Sequence, residues 1–428
     1  SSPTITLSTA TTTTNSITIP FNTSAGTSGI SGTTCVYGTS TSYGNNGTIS
    51  GNSCVITGLT ANTKYYYQLT TTNGSGLTDS KTGSATTKSV PNPSIAYTNT
   101  PSTAANGYLK SQVLKVTYST SNITSPQYFV KTTRAGVSSL SVTQSCGTGT
   151  NPGTCSTITS TTSLAANTWY KVSGNVNVTY SEAATATGTL YAMTYDGNNY
   201  SGAVTGTISK IDASAPSLAL STVSTTTNSI TVPFSASDSE SGIKSTTCVY
   251  GTSTSYGSNG TISGTNCVIS GLTQGVTYYY KVTTTNGVGT STAKTGSTAA
   301  KSITKPTIAY ENTPTTAVNG YLTKQVLKVT YSASGVTSPQ YFVKTSRAGT
   351  SSVAVTQSCG TGTNPGTCSS ITSTTSLAAN TWYKVSGNVN VTYTAAATAT
   401  GTLYAMTYDG NNYSGSVTGT ISKIDASA

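Results

Sequence analysis

The stretch Cys54–Gly76, CVITGLTANTKYYYQLTTTNGSG, returns as CVISGLTQGVTYYYKVTTTNGVG from Cys267 to Gly289. The offset from Cys54 to Cys267 is 213 residues, and the same 213 separates Cys35 from Cys248, Trp169 from Trp382, and Asp196 from Asp409. The chain therefore consists of two copies of one unit. A unit of this length exceeds an ordinary β-domain and splits naturally in two, which predicts four domains in an ABAB order. The expected boundaries are 1–90, 91–213, 214–303 and 304–428.

Within the repeated stretch, Val55 and Tyr65-Tyr66-Tyr67 favour strand, while Gly58, Asn62, Asn73 and Gly74 are turn formers. Leu59-Thr60-Ala61-Asn62-Thr63-Lys64-Tyr65 resembles the E–F corner of a fibronectin type III domain. In that family a leucine enters the core, and a tyrosine opening strand F bonds through its hydroxyl to upstream backbone. Ser16-Ile17-Thr18-Ile19-Pro20-Phe21 resembles strand B, and Cys35-Val36-Tyr37-Gly38 resembles strand C. The resemblance covers roughly residues 1–88 and 215–301. It implies that Leu59 and Tyr65, with Leu272 and Tyr278, are structural corner residues. Phe21 stands near the family's usual tryptophan, and the Cys35/Cys54 pair is foreign to the family pattern.

The first domain runs out at Pro91-Asn92-Pro93, where prolines cannot continue a ladder and form a stiff joint. Beyond it Leu114/Val116/Tyr118, Val176/Val178/Tyr180 and Tyr191/Met193/Tyr195 alternate at strand period, with turn signals about every ten residues. No segment shows a helical period. The second domain is thus similar to the broad immunoglobulin-like β-sandwich class, and the expected fold is all-β: four tandem β-sandwiches forming an extended rod. Ser427-Ala428 matches Ser214-Ala215, the start of the second unit, so a longer tandem array is expected.

The eight cysteines fall into four local pairs: Cys35/Cys54, Cys146/Cys155, Cys248/Cys267 and Cys359/Cys368. Without histidines or Cys-x-x-Cys knuckles, zinc spacing is missing. Disulfides and an extracellular or cell-surface location are expected, with buried free thiols as the alternative.

Charged residues make up 7% of the chain, against about 25% in typical soluble proteins, and Ser, Thr, Gly and Asn supply the polar surface. The net charge of +11 is spread over single Lys and Arg residues, which does not form a nucleic-acid stripe. No apolar run approaches the ~20 residues of a membrane span.

Zero histidines among 428 residues remove Ser-His-Asp and Cys-His machinery. Of nine carboxylates, the two units share Asp196/Asp409 and Asp212/Asp425. The first pair lies in Tyr-Asp-Gly-Asn-Asn-Tyr, a hairpin-turn sequence; the second lies at the joint between units. No enzyme activity and no cofactor are expected. Asp238 and Glu240 beside Asp212 are candidate calcium ligands, although Ala25 and Thr27 replace them in the first unit. A Lys115–Asn177 isopeptide, with Lys328–Asn390 as counterpart, would need a carboxylate, but Glu182 becomes Ala395. Asn22, Asn46, Asn73, Asn122 and Asn177 begin glycosylation-type triplets.

The reading is a structural repeat segment of an extracellular stalk, surface fibre or filament. The alternative is an adhesin or a carbohydrate-binding accessory module. Candidate partners are the chain itself, side by side or head to tail, and surface glycans or proteins.

Overall fold

The computed structural model describes residues 1–100, 105–123, 125–313, 319–334 and 336–427. Ala428 of the repeated joint, and Thr124 of the Asn122 triplet, lie outside them. Every regular element among the described residues is a β-strand. The chain divides into two compact units at Ser214/Ala215, with residues 239–242 and 287–290 grouped with the first.

In the first unit, β1 (Thr4–Leu7), β2 (Thr11–Thr12), β3 (Ile17–Ser24), β4 (Ile30–Gly38) and β5 (Asn45–Asn46) lead to β6 (Thr48–Ser50), β7 (Ser53–Ile56), β8 (Lys64–Asn73) and β9 (Thr78–Thr86). One sheet has the order β1-β3-β7-β6 and the other β5-β4-β8-β9. This is a fibronectin-like sandwich. Alternation decides what is inside: Ile17, Ile19 and Phe21 of β3 face Tyr65, Tyr67 and Leu69 of β8 across a core closed by Ile5, Ile56 and Leu59. Tyr66, Gln68, Thr70 and Thr72 take the intervening half-buried positions on the other face of the sheet.

Cys35 on β4 and Cys54 on β7 form a disulfide between the two sheets, with Cα atoms 6.2 Å apart. Gly47 lies over it, and a Cβ there would come within 2.7 Å of the Cys54 sulfur. A glycine is therefore required where the backbone crosses the bond. Cys248–Cys267 repeats the bridge in the second unit.

The second domain of the first unit comprises β10 (Ser94–Tyr97), β11 (Tyr108–Leu109), β12 (Gln112–Thr117), β13 (Gln127–Thr132), β14 (Gly136–Ser145) and β15 (Ser156–Leu164). It continues with β16 (Trp169–Val172), β17 (Val176–Tyr180), β18 (Gly188–Tyr195), β19 (Val204–Ile208) and β20 (Lys210–Ile211). The hydrogen-bonded order is β10-β12-β17-β14-β16-β13-β18-β19, with β15 on β14. β14 links the two layers: Val137 and Ser138 pair with β17 at one end, and Ser145 pairs with Tyr170 of β16 at the other. Its register with β15 shifts on both sides of Val142, as expected of a strand bent by bulges from one layer into the next. The main core lies inside, built on Leu114, Val116, Val130, Leu164, Val178 and Leu190.

A second, smaller core sits on the outer face of β16-β13-β18. Trp169 is fully buried there with Phe129, Met193 and Cys146. The loop closed by Cys146–Cys155 covers it. The indole Nε1 donates to the Gly149 carbonyl at 3.0 Å, and the Lys131 ammonium lies 4.9 Å over the indole while donating to the same carbonyl at 2.9 Å. Without the loop, an aromatic cluster would face water. Trp382, Phe342, Met406, Lys344 and Cys359–Cys368 repeat the arrangement.

A tyrosine corner closes both domain types. Thr60 N–H donates to the Tyr65 hydroxyl at 3.0 Å, and Thr273 N–H to Tyr278 at 3.1 Å. The second domain has the same device: Ala165 N–H donates to Tyr170 at 3.1 Å and Ala378 N–H to Tyr383 at 3.1 Å. The chain reverses through left-handed backbone at Asn62, Asn167 and Asn380 (φ 51°, 61° and 60°), and at Gly275 (φ 72°). Asn and Gly bear this conformation at least cost.

Truncating the corner leucines Leu59 or Leu164 to alanine is expected to cost about 2–5 kcal/mol. Tyr65→Phe or Tyr170→Phe should cost about 1–3 kcal/mol by orphaning one backbone N–H. Denaturant midpoints on the full chain measure both, and values within experimental error of wild type would refute the corner's role.

Candidate functional site: the joint inside each unit

For a chain of tandem domains, the chemically informative place is where one domain holds the next. In the first unit, Thr87 begins the joint as a buried residue. Its hydroxyl donates to Thr60 O at 2.7 Å and accepts from Thr63 N–H at 3.0 Å. Lys88 N–H donates to Thr13 O at 2.8 Å, and Val90 is buried. The joint is therefore packed against the E–F corner, which fixes where the second domain starts.

The reciprocal contact comes from the hairpin after β18. Asp196 holds its own turn, accepting Asn198 N–H at 2.8 Å and Asn199 N–H at 2.5 Å. That turn presents the Asn199 amide to the corner of the first domain. Its Nδ2 donates to Leu59 O at 3.1 Å, and its Oδ1 accepts from Ala61 N–H at 3.3 Å. One side-chain amide thus reads a backbone carbonyl and a backbone N–H on the same corner. Lys88 Nζ adds a bond to Asn122 Oδ1 at 3.0 Å.

The second unit joins its domains at the same place but through different side-chain bonds. Asn412 Nδ2 donates to Thr227 O at 3.4 Å, and the Thr227 hydroxyl donates to Asp409. Gln274 stands where the first unit has Ala61. It donates to the Tyr413 carbonyl and accepts from Ile303 N–H at 2.8 Å. A cleft of about 500 Å³ runs beside this contact, lined by Thr226, Thr227, Ser229, Lys301, Asp409 and Asn411.

Burial alone would raise the Asp196 carboxyl. The hydroxyl of Thr14, the counterpart of Thr227, and the Asn199 and Asn198 N–H groups outweigh it and hold the carboxyl below its ordinary range. Asp409 is lowered against burial in the same way by Thr227 and the Asn412 and Asn411 N–H groups.

The corner residues Leu59, Tyr65, Leu272 and Tyr278 are all buried, and the corner of the first unit is also the surface that the joint grips. The cysteines pair as Cys35–Cys54, Cys146–Cys155, Cys248–Cys267 and Cys359–Cys368. Sequence reasoning missed the corner of the second domain type, although Leu164-Ala165-Ala166-Asn167-Thr168-Trp169-Tyr170 repeats Leu-x-Ala-Asn-Thr-x-Tyr. It also took the Asp196 hairpin for turn chemistry alone, since nothing local tells a turn from a turn that docks.

Of the candidate calcium ligands, Asp212 and Glu240 meet at the Ser214 hydroxyl, and Asp238 is engaged elsewhere. Asp212 is buried and accepts from Ser214 N–H at 3.0 Å and from the Ser241 hydroxyl at 2.5 Å. Glu240 accepts from the Ser214 hydroxyl at 2.6 Å, and Asp238 from Asn286 Nδ2 at 3.0 Å. Among the described residues no group of three or more His, Cys, Asp or Glu side chains is placed to hold a metal ion. Lys115 and Asn177 face each other across β12 and β17, but both are exposed, whereas an isopeptide needs burial.

No family model matches the chain, and no curated protein matches it. Similar solved structures include a tetra-tandem repeat from the extending region of a large adhesion protein, at 14% identity and TM-score 0.31, covering 100% of both chains. A domain segment of titin matches at 14% and 0.29, covering 70% of this chain and 99% of the other. A two-domain fibronectin type III segment of chicken tenascin matches at 15% and 0.23, covering 49% and 100%. Likenesses this slight carry no argument, and the fold rests on the hydrogen-bonded topology described above.

Because the folded-state pKa of Asp196 is depressed, its contribution to stability is present above the ordinary carboxylate value of about 3.9. It is lost as pH falls below that value toward the depressed one. Asp196→Asn should therefore be destabilised at neutral pH and lose part of the wild type's acid sensitivity. Denaturant titrations at neutral pH and at about pH 3 test this; equal acid sensitivity in both proteins would refute the role given to Asp196.

Proposed function

We propose that the chain is a structural repeat segment of an extracellular stalk, surface fibre or filament, spacing or assembling rather than catalysing. The observation that carries this reading is the duplicated joint. Lys88 N–H on Thr13 O and Lys301 N–H on Thr226 O repeat at the same offset, as do the Asp196 and Asp409 turns that face them. A spacer needs its joints to be alike, whereas a receptor-binding protein needs one domain unlike the others. The four disulfides support an oxidising, extracellular setting.

One observation favours the adhesin or carbohydrate-binding alternative: Tyr279, 36% exposed, sits on the outer face of its sheet opposite Ser297, with Thr277, Thr295 and Lys281 on the same face. An aromatic ring with neutral hydroxyls around it suits a sugar.

Single-molecule pulling on the full chain tests the load-bearing reading. Four unfolding events are expected. The disulfides span 19 residues in the first domain type and 9 in the second. At 3.3–3.6 Å per extended residue, reduction should lengthen the events by about 65 Å and about 30 Å respectively. Unfolding at negligible force would count against the spacer, as would saturable glycan binding abolished by Tyr279→Ala.

A further inference from the structure

We propose that the disulfide loop Cys146–Cys155, and its counterpart Cys359–Cys368, is a redox-sensitive buttress of the joint inside each unit. Opening it by thiol exchange loosens the joint while the fibronectin-like domain stays closed.

The connection runs through one tyrosine. Pro152, buried within the disulfide loop, accepts the Tyr200 hydroxyl at 2.8 Å. Tyr200 stacks on Tyr195, with ring centroids 4.4 Å apart, and meets Phe129 edge-on at 6.4 Å. It directly follows Asn199, the residue that grips Leu59 and Ala61. The loop therefore pins the far side of the hairpin whose near side holds the first domain. In the second unit Pro365 accepts the Tyr413 hydroxyl at 2.6 Å. The backbone carbonyl of Tyr413 is itself the acceptor of Gln274 from the corner, so there the path has no intervening residue.

The two disulfide types differ in access. Cys35 and Cys54 are 3% and 0% exposed, between sheets and under Gly47. Cys155 and Cys368 are half-buried, on loops whose rims Thr148–Asn151 and Thr361–Asn364 are exposed. Exchange rates follow access to the attacked sulfur. A small thiolate attacks Cys155 Sγ, forming a mixed disulfide and releasing the Cys146 thiolate. A second thiolate attacks the outer sulfur of the mixed disulfide and releases the Cys155 thiolate. Two electrons pass from two external thiols, which leave as one external disulfide. The freed loop no longer holds Pro152 against Tyr200.

This inference rests on the spacer reading for its biological consequence, since a spacer's stiffness is set at its joints. Its test is separate. The full oxidised chain is exposed to stepped glutathione. Differential alkylation identifies the opened cysteines, and hydrogen exchange is followed in peptides 57–63 and 195–201, with 65–73 as reference. Cys146, Cys155, Cys359 and Cys368 should be labelled first. Exchange at 57–63 and 195–201 should then rise about three- to tenfold, the scale of one lost hydrogen bond, with 65–73 unchanged. Tyr200→Phe, disulfides intact, should give the same local rise.

Labelling of Cys35 and Cys54 first or together with the others would overturn the proposal. So would a reduced loop with a slow joint, or a silent Tyr200→Phe. A joint that is slow regardless of reduction removes only the buttress. A joint that exchanges fast while oxidised removes the stiff spacer itself.

Discussion

At each corner a single tyrosine hydroxyl accepts one backbone N–H five residues upstream. This bond ties the crossover between sheets to the strand that follows, in a stretch where the backbone turns through left-handed residues. In the first copy of the fibronectin-like domain the crossover is also the landing surface for the neighbour: Leu59 O, Thr60 O and Ala61 N–H are all used by the joint or the hairpin. The geometry of the joint is therefore inherited from the corner.

The joint is held almost entirely by neutral groups. Hydroxyls, side-chain amides and backbone atoms supply most of its bonds, with Asp196 and Lys88 as the charged exceptions. Lys81–Asp79, at 3.5 Å, is an ion pair on an edge strand away from it. Neutral bonds of about 0.5–1.5 kcal/mol each are not screened by salt as surface pairs are. Cohesion built this way requires exact placement, which the disulfides and the two cores of the second domain type supply.

Much of this was legible in the sequence, for identifiable reasons. The 213-residue offset exposes the repeat, alternation exposes strands such as Ile17–Phe21, and Leu59 with Tyr65 marks the corner through its resemblance to the fibronectin type III E–F corner. The pairing of cysteines follows from proximity along the chain. What could not be read is long-range. Trp169 lies on the outward face of its sheet, and only the loop across it makes that face a core. Asn199 reaches residues 138 and 140 positions away, and no periodicity encodes such a contact. The Tyr170 corner was readable in principle, since its heptad matches that of Tyr65, but its flanking strands follow a less familiar order.

The ABAB arrangement has a consequence for biogenesis. Near-identical domains placed side by side can exchange strands while folding, because each offers its neighbour the right sequence in the wrong molecule-half. Here every fibronectin-like domain is followed by a sandwich of different strand order. As the chain leaves the ribosome, a newly made β3 can find its own β7 before the homologous strand of the next unit exists. Alternation thus separates homologous strands by a whole domain of different topology, which disfavours swapped pairing between copies.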